Sequence, residues 1–367
     1  MRRKNLLLLR GLAILAVVCN HAAGRGYTAM FWWAHRYRDV ASPNFDMLGS
    51  IPYYGLVVMQ QLTLFSVPAF LFISGFFVAY AARGSHPTLS WKIVRTRVTT
   101  LLWPYLLWSV VIFAGDALEG KTYTWLEYLS AILLGRAVGA YFFIPLLIQF
   151  YLLAPFLAPL AKRKGWGLLI GSALVQLLVV GLVYQHQFGG RLPSLPYHWP
   201  WVPFWWAFYF PLGAVCGFSA KRLGRWLARV RWVLVVAVVV LALLSVVEAE
   251  WLFAASGDFD WSHATFKLSS SLYATTFILC FLAFDTRLLP FARSIDRIGG
   301  MSYGIYLLHP KIMELLARLA YHCAPWLLAW QVLLQPLLIV ASIGLPVLLM
   351  KLVARSPLRR SYRYLFG

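Results

Sequence analysis

The sequence predicts an all-α polytopic membrane protein with about ten transmembrane helices and both termini on the cytoplasmic side. Of its 367 residues, 61% are hydrophobic and only 12% are charged, and the mean hydropathy is +0.71. The apolar residues form blocks of about 20, the length that a helix needs to cross a bilayer. Strongly basic segments alternate with less basic ones between these blocks. Strand-like alternation with turn signals does not recur, which excludes a soluble α/β protein.

Ten apolar segments are predicted to span the membrane. They are residues 6–24, 56–82, 98–115, 139–160, 166–184, 203–220, 232–249, 265–284, 298–320 and 330–351.

The net charge of +21 indicates membrane topology rather than nucleic-acid binding, because the cations lie in every second connection between spans. Basic segments include residues 2–4, 83–97, 162–164, 221–231, 287–297 and 351–363. The opposite connections carry most of the acids, namely Asp39, Asp46, Asp116, Glu119, Glu127, Glu248, Glu250, Asp258 and Asp260. A Lys/Arg excess marks the cytoplasmic side, so both termini are expected there, and we expect no nucleic-acid partner.

One integral-membrane domain is predicted over residues 1–367, with no appended soluble domain. The first segment is a helix rather than a cleaved signal, because Arg10 interrupts its apolar core. The four cysteines have no paired spacing for zinc or redox chemistry, and we expect no metal.

Arg10 and His21 are eleven residues apart in the first apolar segment. At about 100° per residue their side chains lie within about 20° of one another around a helix, and about 16 Å apart along it. Ionisable groups inside a membrane usually serve a function. His21 suits a general base, because imidazole exchanges protons near neutral pH. The alternatives are a histidine bonded between helices or lying at the interface, and an arginine that reaches the headgroups.

Two further polar sets flank the early spans. Ser74 and Gly75 lie in an apolar run that favours close helix packing, and a nucleophilic role for Ser74 is less favoured. Lys92, Arg95 and Arg97 form a basic loop before the third span. These cations either reflect topology alone or bind the phosphates of a ligand.

The ninth span carries a polar stripe. Ser302, Tyr306 and His309 fall within about 60° on one helix face, which should meet protein or a watery cavity. Pro310 should kink the helix just beyond His309, either widening a cavity or serving packing.

Taken together, these segments resemble the acyltransferase-3 family of polytopic membrane O-acyltransferases. The resemblance covers nearly the whole chain, from Arg10 to the tenth span. It rests on the spacing from Arg10 to His21 and on the runs Phe72-Ile-Ser-Gly-Phe76, Pro104-Tyr105, Tyr141 to Pro155, Phe210-Pro-Leu-Gly213 and Ser302 to Pro310.

The resemblance implies transfer of an acyl group, commonly acetyl, from cytoplasmic acyl-CoA to a hydroxyl of a cell-envelope glycan or related acceptor. It implies that His21 is the catalytic histidine, that Arg10 is its companion, and that Arg95 and Arg97, beside Lys92, help to form the donor site. The side chains expected to line the substrate cavity are Ser74, Tyr151, Ser302, Tyr306 and His309.

The sequence is compatible with more than one acyl group, mechanism and function. Acetyl and succinyl both remain candidates for the acyl group, and the hydroxyl attacks either the thioester directly or an acyl-histidine. A transporter or flippase would also suit ten spans with intramembrane cations, although no matching pair of broken helices stands out in the two halves. The expected location is the bacterial plasma membrane, with lipid, acyl-CoA and a hydroxyl acceptor as partners.

Overall fold

The computed structural model describes residues 3–33, 48–82, 88–189, 199–284 and 290–367, and these residues contain helices but no strand. Arg2, Asp39, Asp46, Arg83, Asp285 and Arg287, which were used to predict topology, lie outside the described residues. The α-helices are α1 Arg3–Tyr27, α2 Ile51–Thr63, α3 Ser66–Ala81, α4 Trp91–Leu118, α5 Trp125–Leu134, α6 Phe143–Arg163, α7 Gly165–Gln187, α8 Tyr209–Phe218, α9 Ala220–Ser256, α10 Phe259–His263, α11 Leu268–Ala283, α12 Ala292–Gly300, α13 Ser302–Cys323, α14 Gln331–Arg355 and α15 Tyr362–Phe366.

The prediction of an all-α polytopic membrane protein is confirmed. In the described part of the chain, eight helical segments are long and apolar enough to cross a membrane. They are Asn5–Phe31, Ile51–Ala81, Trp91–Leu118, Gly139–Arg163, Gly165–Gln187, Ala220–Ser256, Phe259–Ala283 and Gln331–Arg355.

The two remaining predicted spans differ from these eight. Residues 203–220 contain a short 3-10 helix, Pro203–Trp206, followed by the ten-residue helix α8. At about 1.5 Å per residue, α8 covers about half of a bilayer core. Residues 298–320 fall mainly in α13, which has 22 residues. Because α13 contains the charged residues Lys311, Glu314 and Arg318, it is not apolar enough to be one of the eight segments.

The second span is broken in its middle. Helix α2 ends at Thr63 and α3 begins at Ser66. Pro68 explains the break, because proline supplies no N–H to the carbonyl four residues earlier, which is that of Leu64. The backbone N–H of Leu64 instead donates to Gln61 O at 3.3 Å, a tighter turn that ends α2.

The family-like runs at Phe72–Phe76 and Phe210–Gly213 pack directly against each other, through α3 and α8. A Cβ atom on Gly213 would stand 1.9 Å from the carbonyl oxygen of Phe72, so only glycine allows this approach. The expectation that Ser74-Gly75 permits close helix packing is therefore confirmed for Gly75.

Helix α1 lies in the middle of the fold, in contact with α2, α3, α12, α13 and α14. Its crossing with α12 is close, since a Cβ on Gly11 would meet the Ile295 carbonyl oxygen at 2.2 Å. This packing places both Arg10 and His21 among neighbouring helices.

The helices run between two ends of different charge. We call the end that holds Arg95, Arg163, Lys221 and Arg355 the basic end. We call the opposite end, which holds Glu119, Glu248, Glu250 and Asp258, the acidic end. The positive-inside rule predicts that the basic end faces the cytoplasm.

Candidate active site

A cavity of about 140 Å³ lies toward the basic end, and we call it the basic-side cavity. Six of the side chains that were predicted to form the site line this cavity. They are Arg10, Ser74, Arg97, Tyr151, Ser302 and Tyr306. These residues come from α1, α3, α4, α6 and α13, so the cavity is assembled by the tertiary fold.

Arg10 is held in this cavity by a hydrogen bond from its Nε to Ser302 Oγ at 2.6 Å. It forms no ion pair with any carboxylate in the described part of the chain. A guanidinium carries five N–H donors, so the bond to Ser302 leaves the outer fork available. This is the donor arrangement that grips phosphate or carboxylate oxygens.

Arg97 lines the same cavity from α4. Its Nη1 donates to the Tyr151 hydroxyl at 3.5 Å, and its guanidinium carbon lies 5.5 Å from the centre of the Tyr151 ring. Two cations, Arg10 and Arg97, therefore face one cavity, and an anionic ligand would neutralise both.

Lys92 and Arg95 lie elsewhere, on the exposed surface of α4 and away from the cavity lining. The prediction that these cations form a loop is wrong, because α4 begins at Trp91. The Ser90 side chain caps the helix by accepting a hydrogen bond from Lys92 N at 3.3 Å. Helical geometry then turns Arg97 inward while Arg95 faces outward.

A second cavity, of about 210 Å³, lies toward the acidic end, and we call it the acidic-side cavity. His21 lines it, half-buried. The described residues give His21 no hydrogen-bond partner. The walls combine aromatic rings with polar groups, among them Asn20, Gln60, Phe142, Trp206, Thr265 and Phe266.

Phe143 and Tyr306 line both cavities, so the two spaces share a wall. Their ring centres are 5.9 Å apart in an edge-to-face arrangement. The Tyr306 hydroxyl donates to the carbonyl oxygen of Ala140, which anchors the ring. Arg10 and His21 thus lie on either side of one aromatic partition rather than in a single chamber.

The predicted polar stripe on α13 is divided by this arrangement. Ser302 lines the basic-side cavity and Tyr306 lines both. His309 is fully buried and is not among the residues that line either cavity. Its ring packs against His21, with ring centres 5.3 Å apart.

Sequence reasoning missed several polar residues near His21. Asn20 Nδ2 donates to Gln60 O at 3.3 Å and to Thr63 Oγ1 at 3.2 Å, which ties α1 to the broken end of α2. The signal was present, since Asn20 precedes His21 directly and Gln60 lies within an apolar span.

Lys267 was also missed, although it is fully buried at the start of α11. Its Nζ donates to Gln61 Oε1 at 2.9 Å and to Ser245 O at 3.4 Å. A lysine at the edge of an apolar span was the available signal, but lysines at such positions usually reach toward the interface. Within the described residues, no group of three or more His, Cys, Asp or Glu side chains is placed to hold a metal ion.

Comparison with curated proteins finds relatives that cover most of this chain. The chain is 29% identical over 272 residues, 69% of each chain, to a Bacillus subtilis protein named "Putative membrane-bound acyltransferase YfiQ". It is 24% identical over 268 residues, 70% of this chain and 71% of the relative, to a Staphylococcus aureus protein named "Probable poly-beta-1,6-N-acetyl-D-glucosamine export protein".

No solved structure matches this chain. The model of a protein family described as "Acyltransferase domain" matches residues 3–351. This range includes the residues that line both cavities and their shared wall. The chain is a member of the acyltransferase-3 family of integral membrane proteins.

Proposed function

We propose that this protein is an O-acyltransferase that moves an acyl group, acetyl in the simplest case, from cytoplasmic acyl-CoA to a hydroxyl of a cell-envelope carbohydrate. His21 acts as the general base. The observation that carries the proposal is the position of His21, an imidazole without a hydrogen-bond partner among the described residues, in a cavity that shares a wall with a second, cationic cavity.

The donor is proposed to enter from the basic end. Coenzyme A carries phosphates, and Arg10 and Arg97 present guanidinium groups in the basic-side cavity. Lys92 and Arg95, exposed on the first turns of α4, would attract the nucleotide at the surface. The thioester arm would then extend past Ser74 and Tyr151 to the wall formed by Phe143 and Tyr306. This wall has to open for the thioester carbon to meet an acceptor hydroxyl beside His21.

The acceptor is proposed to enter the acidic-side cavity. Flat aromatic walls at Trp206 and Phe266 suit a sugar ring, and Asn20 and Gln60 offer groups that hydrogen-bond to hydroxyls. The Staphylococcus aureus relative is named for a polysaccharide of N-acetylglucosamine, which supports a carbohydrate acceptor.

Acyl transfer then requires no reagent other than acyl-CoA and the acceptor hydroxyl. His21 removes the hydroxyl proton while the acceptor oxygen attacks the thioester carbonyl carbon, the carbon–sulfur bond breaks, and the proton passes from His21 to the departing thiolate. In the covalent alternative, a nitrogen of His21 attacks the thioester carbonyl carbon, the carbon–sulfur bond breaks and the CoA thiolate leaves. The acceptor hydroxyl then attacks the acyl-histidine, the acyl–nitrogen bond breaks, and the hydroxyl proton passes to the thiolate.

A transporter of a glycan is the second candidate. The break between α2 and α3 within the membrane and the name of the Staphylococcus aureus relatives favour it. It requires passage of the substrate with no transfer of label from an acyl donor.

The test uses the purified protein in lipid vesicles with radiolabelled acetyl-CoA and an extract of envelope glycans. Wild-type protein should yield labelled glycan, and His21→Ala should not. His186→Ala is the matched control, because His186 lies exposed near the end of α7, and it should retain full transfer. Normal transfer by His21→Ala would refute the assignment of the base. Movement of unlabelled glycan across the vesicle without labelled product would favour the transporter.

A further inference from the structure

Within the described residues, His21 stands without the orienting group that a general base usually has. In triads of the serine-protease type, a carboxylate fixes the tautomer of the histidine. Here no ion pair joins His21 to a carboxylate in the described residues, and no hydrogen bond holds its ring there. The ring that packs against it is that of His309, with centres 5.3 Å apart and planes inclined by 47°.

The protonation of His309 follows from its partner. Its Nδ1 lies 3.1 Å from the carbonyl oxygen of Ile305. A carbonyl oxygen only accepts, so Nδ1 must carry the hydrogen. In a neutral imidazole the other nitrogen is then an acceptor. Nε2 of His309 is therefore a lone-pair nitrogen, and it is buried without a hydrogen-bond partner in the described structure.

A buried acceptor without a hydrogen bond, such as Nε2 of His309, destabilises the folded protein. A general base without an orienting acceptor, such as His21, has no fixed tautomer. One hydrogen bond between the two rings would satisfy both residues. We propose that His309 is a positioning residue for His21, and this inference rests on the proposed function. Nε2 of His309 accepts a hydrogen bond from the N–H of His21, which turns the lone-pair nitrogen of His21 toward the acidic-side cavity.

The pair also accounts for the proton that His21 takes up. When His21 becomes an imidazolium, its N–H remains bonded to the neutral Nε2 of His309. This hydrogen bond stabilises the positive charge on His21 without a buried carboxylate. His309 keeps its own proton on Nδ1 throughout, and no atom of His309 joins the acyl transfer. When the thiolate leaves, His21 returns the proton to sulfur and the pair is restored.

The surroundings of the pair contain cations and phenols. Arg25 on α1 acts on His21 electrostatically, and Tyr306 on α13 packs against His309 with ring centres 6.1 Å apart. Tyr141 donates to Leu307 O beside them, and α14 brings the uncharged Gln331 and Gln335 to α1. Lys311, two residues beyond His309, is paired with Asp116, Glu119 and Glu314. His263 on α10 lines the same cavity as His21, but its Nδ1 lies 3.1 Å from Phe259 O and its Nε2 lies 3.7 Å from Glu250 Oε1. The orienting role therefore falls to His309, whose ring packs against that of His21.

The test compares pH–rate profiles of the purified wild-type protein, His309→Leu and His309→Asn in lipid vesicles. Leucine removes the acceptor, and kcat should fall about 10- to 100-fold, as expected from loss of a hydrogen bond to a charged group. KM for both substrates should stay nearly constant, because His309 lines neither cavity. The acidic limb of the profile should move to lower pH, because the imidazolium of His21 loses its acceptor.

Asparagine provides the rescue, since its side-chain oxygen can accept the same N–H bond without titrating. His309→Asn should recover most of kcat, and it keeps the test decisive if His309→Leu fails to fold. His186→Asn is the matched control and should match wild type. Unchanged kcat and an unshifted acidic limb in His309→Leu, or no recovery in a folded His309→Asn, would overturn the inference. A raised KM with unchanged kcat would instead assign His309 to ligand contact and would also overturn it.

Failure of the proposed function can be distinguished from failure of the role proposed for His309. Normal transfer by His21→Ala would show that the proposed function itself is wrong. An inactive His21→Ala alongside a fully active His309→Leu would leave the function standing and remove only the role of His309.

Discussion

Gly75 on α3 lies so close to Phe210 on α8 that a Cβ atom on the glycine would stand 2.0 Å from the Phe210 carbonyl oxygen. Helix backbones come this near only where a side chain is missing. We expect Gly75→Ala to force the two helices apart and to lower the free energy of unfolding by about 1–3 kcal/mol, the usual cost of overpacking. Thermal unfolding of detergent-solubilised protein, followed by size-exclusion chromatography, measures the loss.

Gly181→Ala is the control for that experiment, because Gly181 lies on α7 and a Cβ atom there would have no neighbouring atom of the described residues within 4 Å. It should leave stability unchanged or slightly raised, since alanine is the better helix former. Equal stability of Gly75→Ala and wild type would mean that α3 and α8 do not approach so closely at Gly75.

Arg10 and Ser302 give a second prediction. Removing the hydroxyl in Ser302→Ala leaves the Arg10 side chain without its 2.6 Å tether. We expect kcat/KM for the acyl donor to fall by about 10-fold or more, the effect of losing one hydrogen bond to a charged group. Initial rates at varied donor concentration, with acceptor saturating, measure it.

Ser302→Thr keeps a hydroxyl and should retain most of the activity, whereas Ser172→Ala tests a serine that bonds only within its own helix. Donor kinetics of Ser302→Ala that match wild type would show that Ser302 does not position Arg10.

The orientation of the protein can be tested through Cys323, which is exposed at the end of α13, near the acidic end. If the basic end faces the cytoplasm, a membrane-impermeant maleimide should label Cys323 in right-side-out vesicles and not in inside-out ones. Mass spectrometry of the labelled peptide identifies the site.

The reverse result should follow when the thiol is moved to the basic end. In the double variant Cys323→Ser with Thr96→Cys, the new thiol lies on the exposed face of α4 near Arg95. It should react in inside-out vesicles only. Labelling of Cys323 from the inside-out preparation alone would invert the predicted topology.

Hydropathy predicted the helices that behave as simple apolar blocks, and the reason is physical. α7 and α14 were placed within a few residues, because a bilayer requires about 20 apolar residues from each spanning helix. Hydropathy failed where helices extend beyond the membrane. α9 begins at Ala220 rather than near residue 232, since basic residues in its first turns are good helix formers although they are poor membrane residues.

Sequence also predicted part of the site. The spacing of Arg10 and His21 identified two polar groups on one helix, and the structure puts a cavity beside each. The wall between them could not be predicted, because Phe143 and Tyr306 come from α6 and α13 and meet only in the tertiary fold. Nor could the spacing on α13 reveal that His309 packs behind His21 instead of lining a cavity.

The acidic end supplies a prediction about pH. Glu119, just past the end of α4, lies 3.0 Å from Arg318 on α13 and 3.2 Å from Lys121. Hydrogen bonds from Arg318 and Lys121 lower the pKa of Glu119 from 4.5 to about 2. The unfolded chain therefore binds a proton at Glu119 more readily than the folded protein does.

A carboxylate with a lowered pKa in the folded state stabilises the fold fully above its unfolded pKa and loses that contribution as pH falls through the folded one. We expect the Glu119 contribution to be constant above about pH 5 and to disappear between about pH 4.5 and pH 2. The difference in melting temperature between wild type and Glu119→Gln, measured across this range, isolates it from other carboxylates.

The difference should shrink toward zero at the lowest pH, and it should be smaller at high salt because exposed ion pairs are screened. Glu127→Gln is the comparison variant, since Glu127 caps α5 and does not join α4 to α13. A difference between wild type and Glu119→Gln that stays constant from pH 6 to pH 2 would contradict the pairing of Glu119 with Arg318, because a protonated carboxyl cannot hold a guanidinium by charge.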